Sequence, residues 1–173
     1  LNPSEGNYCF LLPHPAYIRP WKVVGDKWLG CCAGNLNKDL PYTVGVTTIN
    51  DADTMMPIAF MDATYLTGMR TAAMAAIGTK YLARKESETL AIVGCGVQGK
   101  THLEAMCELE VFPLKKIRVF DLNKEAMNHL KAYGEKKYGV EIIPCESVAD
   151  AVRSADIICM LTTCRNPLIT LDM

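Results

Sequence analysis

Three glycines stand between a short apolar run and a predicted helix, in the stretch ETLAIVGCGVQGKTHLEAM. They are Gly94, Gly96 and Gly99, spaced as Gly-x-Gly-x-x-Gly. Backbone without side chains lets a phosphate approach closely, and the helix that follows offers free N–H groups and the positive end of its dipole. We predict that the backbone amides of Val97 and Gln98 contact a pyrophosphate. A strand-to-helix turn that binds nothing has the same pattern, so the next strand decides between the two.

An acid follows at the end of the second predicted strand, in KIRVFDL. In dinucleotide folds an acid about 20 residues beyond the glycines binds the adenosine ribose hydroxyls, and Asp121 lies at this place. Strand, glycine turn, helix, strand and acid together predict a nicotinamide dinucleotide site. The charge of Asp121 repels a ribose 2′-phosphate, which favours NAD, with NADP as the alternative. Thr162 and Thr163 follow the fourth predicted strand and are predicted to line the nicotinamide side.

The elements that must position these residues alternate between strands and helices. Strands are predicted at 90–93, 116–122, 140–144 and 156–161. Helices are predicted at 98–110, at 124–138 between a capping Asn123 and a terminating Gly139, and at 148–155 after a capping Ser147. This alternation implies right-handed βαβ units and a parallel sheet.

The residues before this parallel sheet have a different pattern. The segments VGVTTI and PIAFM, separated by NDADT, predict a β-hairpin in an antiparallel or mixed sheet. An alanine-rich helix is predicted to begin at Thr67 or Thr71. The charged segment KESE at 85–88 marks the predicted boundary. The predicted fold class is therefore α/β, with a mixed β/α piece at 1–86 and a truncated Rossmann-type parallel sheet at 87–173.

Composition excludes several classes of protein. The chain has 173 residues and a net charge of −1, which argues against a nucleic-acid partner. No apolar run approaches the roughly 20 residues of a membrane span, so no membrane partner is predicted. The eight cysteines include no C-x-x-C pair. We interpret them as small apolar residues of a reduced, cytoplasmic protein, and we predict no metal site.

Several stretches resemble the ornithine cyclodeaminase and mu-crystallin family. They are DATYLTGMRTAAMAAIGTKYLAR before ETLAIVGCGVQG, and HPAYI with GDKWLGCCAGNLNKDLP earlier in the chain. SVADAVRSADIICMLTTCRNPLI is also similar to the family's pattern, so the resemblance spans nearly the whole chain in order. It implies a homodimer, with a partial substrate-binding and dimerisation domain at 1–86 and a partial NAD(P)-binding Rossmann domain at 87–173. The implied substrates are small amino acids or imino acids.

The resemblance also implies roles for two basic residues. Lys27 matches the family's lysine beside the substrate carboxylate and the reacting carbon, and Arg70 matches the arginine that clamps the carboxylate. A planar guanidinium holds a carboxylate through two hydrogen bonds, and a lysine supplies charge or moves a proton. From the residues alone, a surface lysine beside Trp28 and a solvated arginine at a helix start remain the alternatives. His14 replaces the family's usual methionine and is interpreted as a satisfied loop histidine.

The resemblance further implies an NAD-dependent amino-acid enzyme. Our first hypothesis is ornithine cyclodeaminase chemistry, in which hydride leaves Cα, an iminium forms, and cyclisation releases ammonia. An amino-acid (alanine) dehydrogenase or ketimine reductase is the alternative, and a non-catalytic crystallin-like NAD(P)-binding protein is the second alternative. The family's catalytic aspartate lies beyond Met173, so we expect this chain alone to be incomplete and inactive.

Overall fold

A computed structural model describes residues 8–108, 112–171 and 173. The chain forms two compact units, Leu1–Thr67 and Gly68–Met173. The sequence places the domain boundary between residues 86 and 87, whereas the two units divide earlier, inside a helix. The assignment of a role to each domain stays a prediction. None of the helices in the described residues is long and apolar enough to cross a membrane.

The first unit is an antiparallel sheet. Its strands within the described residues are β1 (Cys9–Leu12), β2 (Pro15–Ile18), β3 (Val23–Cys32), β4 (Thr43–Asp51) and β5 (Pro57–Asp62), with 3₁₀ helices at Arg19–Trp21 and Ala33–Lys38. The order is β1-β3-β4-β5, and β2 also pairs with β3. The predicted hairpin is confirmed as the antiparallel pair β4 and β5. β3 is the central strand, because it pairs with β1, β2 and β4.

A disulfide joins Cys9 and Cys32, which are paired residues of β1 and β3. The prediction that the cysteines are all reduced apolar residues is therefore wrong for this pair. The other six cysteines are free thiols, and they are Cys31, Cys95, Cys107, Cys145, Cys159 and Cys164. The bonded cysteines are 23 residues apart in sequence. The antiparallel register brings them together, and composition does not reveal that register.

Helix α1 (Thr64–Leu82) follows β5 and continues past the division between the units. Its predicted start at Thr67 or Thr71 is wrong. Asp62 accepts hydrogen bonds from the backbone N–H groups of Thr64 and Tyr65 and from the Thr64 hydroxyl. A carboxylate that satisfies free amides in this way begins a helix there.

The second unit contains a parallel sheet. After α1 come β6 (Thr89–Val93), α2 (Val97–Glu108), β7 (Lys116–Phe120), α3 (Lys124–Tyr138), β8 (Glu141–Pro144), α4 (Val148–Val152) and β9 (Ile157–Met160). The strand order is β8-β7-β6-β9, and every neighbouring pair is parallel. This confirms the predicted α/β fold class. The predicted end of the second helix at residue 110 lies outside the described residues.

Local signals set the ends of α3 and α4. Asn123 Oδ1 accepts hydrogen bonds from the amides of Glu125 and Ala126, and Gly139 ends α3 with a left-handed φ of 65°. Ser147 Oγ accepts a hydrogen bond from the Asp150 amide at the start of α4. These three predicted caps are confirmed. α3 packs in a core formed with the sheet strands and α2, whereas α4 packs in a second core with β6.

Candidate functional site

Two of the three glycines are required by the packing of the turn between β6 and α2. Gly94 has a φ of +105°, and a Cβ atom there would lie 2.7 Å from the carbonyl oxygen of Leu161. A Cβ atom on Gly99 would lie 2.3 Å from the carbonyl oxygen of Gly94. Both separations are too short for any side chain. These glycines let the helix start pack closely against the sheet edge.

Gly96 has a different environment. A Cβ atom placed on Gly96 would meet nothing within 4 Å, and the residue is exposed. α2 begins at the next residue, Val97, so its first N–H groups, which have no partner within the helix, lie beside this open space. Gln98 also belongs to this first turn, and its side-chain oxygen is buried without a partner among the described residues. The arrangement suits an anionic group that approaches the backbone at Gly96.

Asp121 connects the end of β7 to the glycine turn. Its Oδ2 accepts a hydrogen bond from the Cys95 amide at 2.7 Å, and its Oδ1 accepts one from the Asn123 amide at 2.8 Å. An ionised carboxylate offers about four acceptor positions, so two amides leave room for ribose hydroxyls. Burial, with the nearby charge of Asp121, raises the pKa of the Cys95 thiol to about 12. Cys95 therefore stays protonated at neutral pH and is no nucleophile.

Thr162 and Thr163 follow β9 at the same edge of the sheet. The Leu161 amide donates to the Val93 carbonyl at 2.7 Å, which fixes this segment beside the end of β6. Both threonines are exposed, and Thr162 Oγ1 accepts a hydrogen bond from the Cys164 amide at 3.3 Å. The structure thus brings together the predicted cofactor residues at the carboxyl edge of the parallel sheet. They are Gly94, Gly96, Val97, Gln98, Gly99, Asp121, Thr162 and Thr163.

A groove of about 350 Å³ lies beside this edge, between the start of α2 and α3. Lys100 and Tyr133 line it from the two helices, and Lys100 Nζ lies 4.4 Å from the centre of the Tyr133 ring. His129 is exposed on its wall. This groove is not predictable from the sequence, because it depends on the packing of two helices. His102 is buried, donates from its ring to the Gln98 carbonyl, and has a pKa lowered by burial, so it is a neutral core histidine.

Lys27 lies half-buried on β3 in the first unit. Its Nζ donates to Thr67 Oγ1 at 3.4 Å. Thr47 is its cross-strand partner on β4 and is buried, and the Thr47 hydroxyl has no partner among the described residues. Sequence reasoning missed both threonines, because only the strand register and the helix start place them near Lys27. Lys27 is therefore not simply a surface lysine beside Trp28.

His14 and Asn35 have structural partners within the first unit. The His14 amide donates to Asp26 Oδ1 at 2.7 Å, and its ring Nδ1 lies 3.2 Å from the Leu12 carbonyl oxygen. Asn35 donates from its side chain to the Pro41 carbonyl at 2.9 Å. His14 thus has the satisfied environment that the sequence analysis expected.

Arg70 lies on α1 in the second unit and is exposed. Its guanidinium makes no hydrogen bond or ion pair within the part of the chain that the structure describes. Arg70 thus has a full set of donors for an external carboxylate.

Among the described residues, no group of three or more His, Cys, Asp or Glu side chains is arranged to hold a metal ion.

Proteins of known structure and sequence are similar to this chain over most of its length. The Δ1-pyrroline-2-carboxylate reductase of Thermococcus litoralis, solved with NADH and L-proline, matches with a TM-score of 0.87 and 36% identity over 93% of this chain and 49% of that chain. An archaeal alanine dehydrogenase dimer with bound NAD matches with a TM-score of 0.83 and 31% identity, over 94% of this chain and 48% of that chain. The ornithine cyclodeaminase of Agrobacterium fabrum is 36% identical over 140 residues, which are 81% of this chain and 39% of that relative.

This chain therefore spans less than half the length of each of these relatives. The model of the ornithine cyclodeaminase/mu-crystallin family matches residues 8–173. That match covers all but the first seven residues, and the similar structures have the same α/β fold. The chain belongs to the ornithine cyclodeaminase/mu-crystallin family.

Proposed function

We propose that this protein is an NAD-dependent enzyme that acts at the Cα of a small amino acid or imino acid, with ornithine cyclodeaminase-type chemistry as the first choice. The observation that carries the proposal is the turn at Gly96, where open backbone, a helix start and Asp121 meet at one sheet edge. Two similar proteins, the reductase with NADH and the archaeal dehydrogenase with NAD, support the same cofactor.

The described residues fit a dinucleotide. Gly96 leaves the backbone open to a pyrophosphate, and the amides of Val97 and Gln98 would bind its oxygens. Asp121 would accept hydrogen bonds from the adenosine ribose, and Thr162 would lie toward the nicotinamide end. When bound, NAD supplies the hydride acceptor, and the protein's residues bind, orient and exclude water.

Lys27 and Arg70 would hold the substrate. Arg70 has an exposed guanidinium without a partner among the described residues, so it can clamp a carboxylate through two hydrogen bonds. Lys27 is half-buried and its ammonium donates to Thr67 Oγ1, which suits the role beside a substrate carboxylate that the family resemblance implies for it. Loss of hydride from Cα then gives an iminium. In ornithine the δ-amino group adds to this carbon and ammonia leaves, which yields proline after hydride return.

An amino-acid dehydrogenase or ketimine reductase is the second candidate, and the similarity to an alanine dehydrogenase and to a pyrroline-2-carboxylate reductase supports it. The deciding measurement is NADH formed per product by the full-length protein. A cyclodeaminase releases ammonia and proline from ornithine with only catalytic NAD, whereas a dehydrogenase consumes NAD stoichiometrically. Tight NADH binding without turnover of amino acids or cyclic imines would contradict an enzyme and favour a crystallin-like binder.

We also propose that the full-length protein is a homodimer, since the similar archaeal alanine dehydrogenase is a dimer.

The preference for NAD provides a test of Asp121. Asp121→Ser should narrow or invert the NAD/NADP ratio of kcat/KM, because the wild-type carboxylate repels a 2′-phosphate at a cost of several kcal/mol. Asp121→Asn, which keeps an acceptor for one amide, should shift the ratio in the same direction. Asp156→Ser is the matched control, because Asp156 also accepts hydrogen bonds from two backbone amides but lies just before β9, away from the glycine turn. An unchanged ratio in both Asp121 variants would show that the ribose does not bind there.

A further inference from the structure

We propose that Thr67 is a positioning residue that holds the Lys27 ammonium in place for the substrate carboxylate. This inference deepens the proposed function and rests on it for the role of Lys27. The contact itself is a feature of the first unit, because Lys27 on β3 and Thr67 on α1 both belong to it.

The hydroxyl of Thr67 has a fixed orientation. Thr67 is only 7% exposed, so bulk water contributes little to its hydrogen bonding. Its Oγ1 donates to the carbonyl oxygen of Ala63, one turn earlier in the chain, at 2.6 Å. A hydroxyl has one proton, so this bond leaves only its lone pairs for other partners. Lys27 Nζ is a donor without lone pairs and lies 3.4 Å from the same oxygen. Thr67 therefore presents an acceptor to Lys27.

Lys27 needs such an anchor for its proposed role. A lysine side chain has a flexible stem of four carbons and about 2 kcal/mol of rotamer entropy, so the backbone alone does not fix the position of its ammonium. Substrate-positioning groups must hold the reacting carbon within a narrow range of distances, and misplacement by about 1 Å lowers the rate by about a hundredfold in severe cases. A buried hydroxyl on a helix accepts one hydrogen bond from the ammonium and so restricts its position.

Thr79 offers a matched control. It lies in the same helix, and its Oγ1 donates to the Ala75 carbonyl at 2.9 Å, the same bond to the preceding turn that Thr67 makes. Thr79 is half-buried and contacts no lysine in any hydrogen bond of the described residues. A threonine-to-valine change at either position removes a hydroxyl from α1 at nearly constant volume. Only the change at Thr67 also removes an acceptor of the Lys27 ammonium.

The experiment compares Thr67→Val, Thr67→Ser and Thr79→Val in the full-length protein. We expect Thr67→Val to lower kcat/KM for the amino acid or imine about tenfold, the scale of one lost hydrogen bond to a charged group. The dissociation constant of NADH should stay unchanged. Thr67→Ser keeps the hydroxyl and should restore kcat/KM, and Thr79→Val should resemble the wild type. A wild-type kcat/KM in Thr67→Val would overturn the inference. So would an equal loss of kcat/KM in Thr67→Val and Thr79→Val, accompanied by an equal fall in Tm.

A second readout is independent of catalysis. Acetylation of Lys27 by acetic anhydride, followed by peptide mass spectrometry, should be faster in Thr67→Val than in the wild type or Thr79→Val, because the ammonium is no longer held. Thr67→Ala carries the same test if the valine variant does not fold. An unchanged labelling rate would overturn the Thr67–Lys27 contact. If the wild type turned over no amino acid or imine while Lys27 was still labelled faster in Thr67→Val, the proposed function would be contradicted. The Thr67–Lys27 contact would remain supported.

Discussion

The two units of the chain differ in how much apolar surface they bury. Among the described residues of the second unit, seven large apolar side chains are no more than 1% exposed, and they are Leu90, Ile92, Val93, Leu103, Ile117, Val119 and Ile142. Among the described residues of the first unit, Leu29 is the large apolar side chain buried to a similar degree, at 2%. Phe60 is 72% exposed and Trp21 is 73% exposed in that unit.

This difference follows from the two kinds of sheet. A parallel sheet receives helices through its crossover connections, so its strands are buried on both faces. An antiparallel sheet closes its strands with short turns and needs no covering helices. The second unit therefore derives its stability from a packed core, and the first depends more on its ladder of backbone hydrogen bonds and on a disulfide. The predicted cofactor residues lie at the edge of the packed core, whereas Lys27 lies on β3, which pairs with β1, β2 and β4.

The largest expected effect is a direct contrast of the two units. Leu103→Ala should lower the free energy of unfolding by about 3 kcal/mol, because it removes a fully buried side chain and leaves a cavity. Phe60→Ala should change it by less than about 0.5 kcal/mol, because most of the ring is already in water. Denaturant unfolding of the 173-residue chain measures both. Equal losses of unfolding free energy in the two variants would show that the Phe60 ring is buried in solution.

The disulfide should have the next largest effect. The double variant Cys9→Ser and Cys32→Ser should lose about 2–4 kcal/mol of stability, since a bond across a 23-residue separation restricts the unfolded chain. β1 lies at the edge of its sheet, so it should be the first strand to exchange its amide protons. Cys164→Ser, at an exposed free thiol, is the control.

Thiol titration of the denatured wild type provides the companion measurement. It should count six thiols without reductant and eight with it, because six of the eight cysteines are free. Reductant should destabilise the wild type and leave the double variant unchanged. Eight thiols without reductant would return Cys9 and Cys32 to the reduced role that the sequence suggested.

The two units also differ in how much of their structure the sequence predicts. The second unit was predictable because its signals are local: glycines at the turn, Asn123 and Ser147 before helices, and Gly139 after one. The strands β1 to β3 were not predicted, because their pairing joins residues far apart and their pattern has no clear period. The Thr67–Lys27 contact crosses 40 residues of sequence for the same reason.

The candidate site divides in the same way. Asp121 and the three glycines followed from spacing and chemistry, and the structure brings them together at one edge. Lys27 and Arg70 came from family resemblance, since a single lysine or arginine has no spacing to interpret. The second hydrogen-bonding role of Asp121, toward the Cys95 amide, was not predicted, because it depends on how closely the turn approaches β7.

The smallest expected effect concerns one carboxylate in each unit. Asp156 accepts hydrogen bonds from the amides of Glu88 and Thr89, and these bonds, with the charge of Arg84, hold its pKa below the ordinary value. The hydroxyl of Thr64 and two backbone amides lower the pKa of Asp62 likewise. A carboxyl with a lower pKa in the folded state stabilises the fold above its unfolded pKa of about 4 and loses that contribution as the pH falls through the folded pKa.

Asp156→Asn and Asp62→Asn should therefore each lower the free energy of unfolding slightly at pH 7, where the ionised carboxylate contributes, and the difference from the wild type should shrink as the pH falls below about 4. Each variant thus loses less stability on acidification than the wild type does. Separate probes report on the two units. Both tryptophans, Trp21 and Trp28, lie in the first unit, so their fluorescence follows its acid unfolding. Most helical residues lie in the second unit, so far-ultraviolet circular dichroism follows that one. Asp156→Asn should alter mainly the dichroism profile and Asp62→Asn mainly the fluorescence profile. If each variant shifted both profiles equally, the two units would unfold as one cooperative body, and the contrast in their cores would not separate their stabilities.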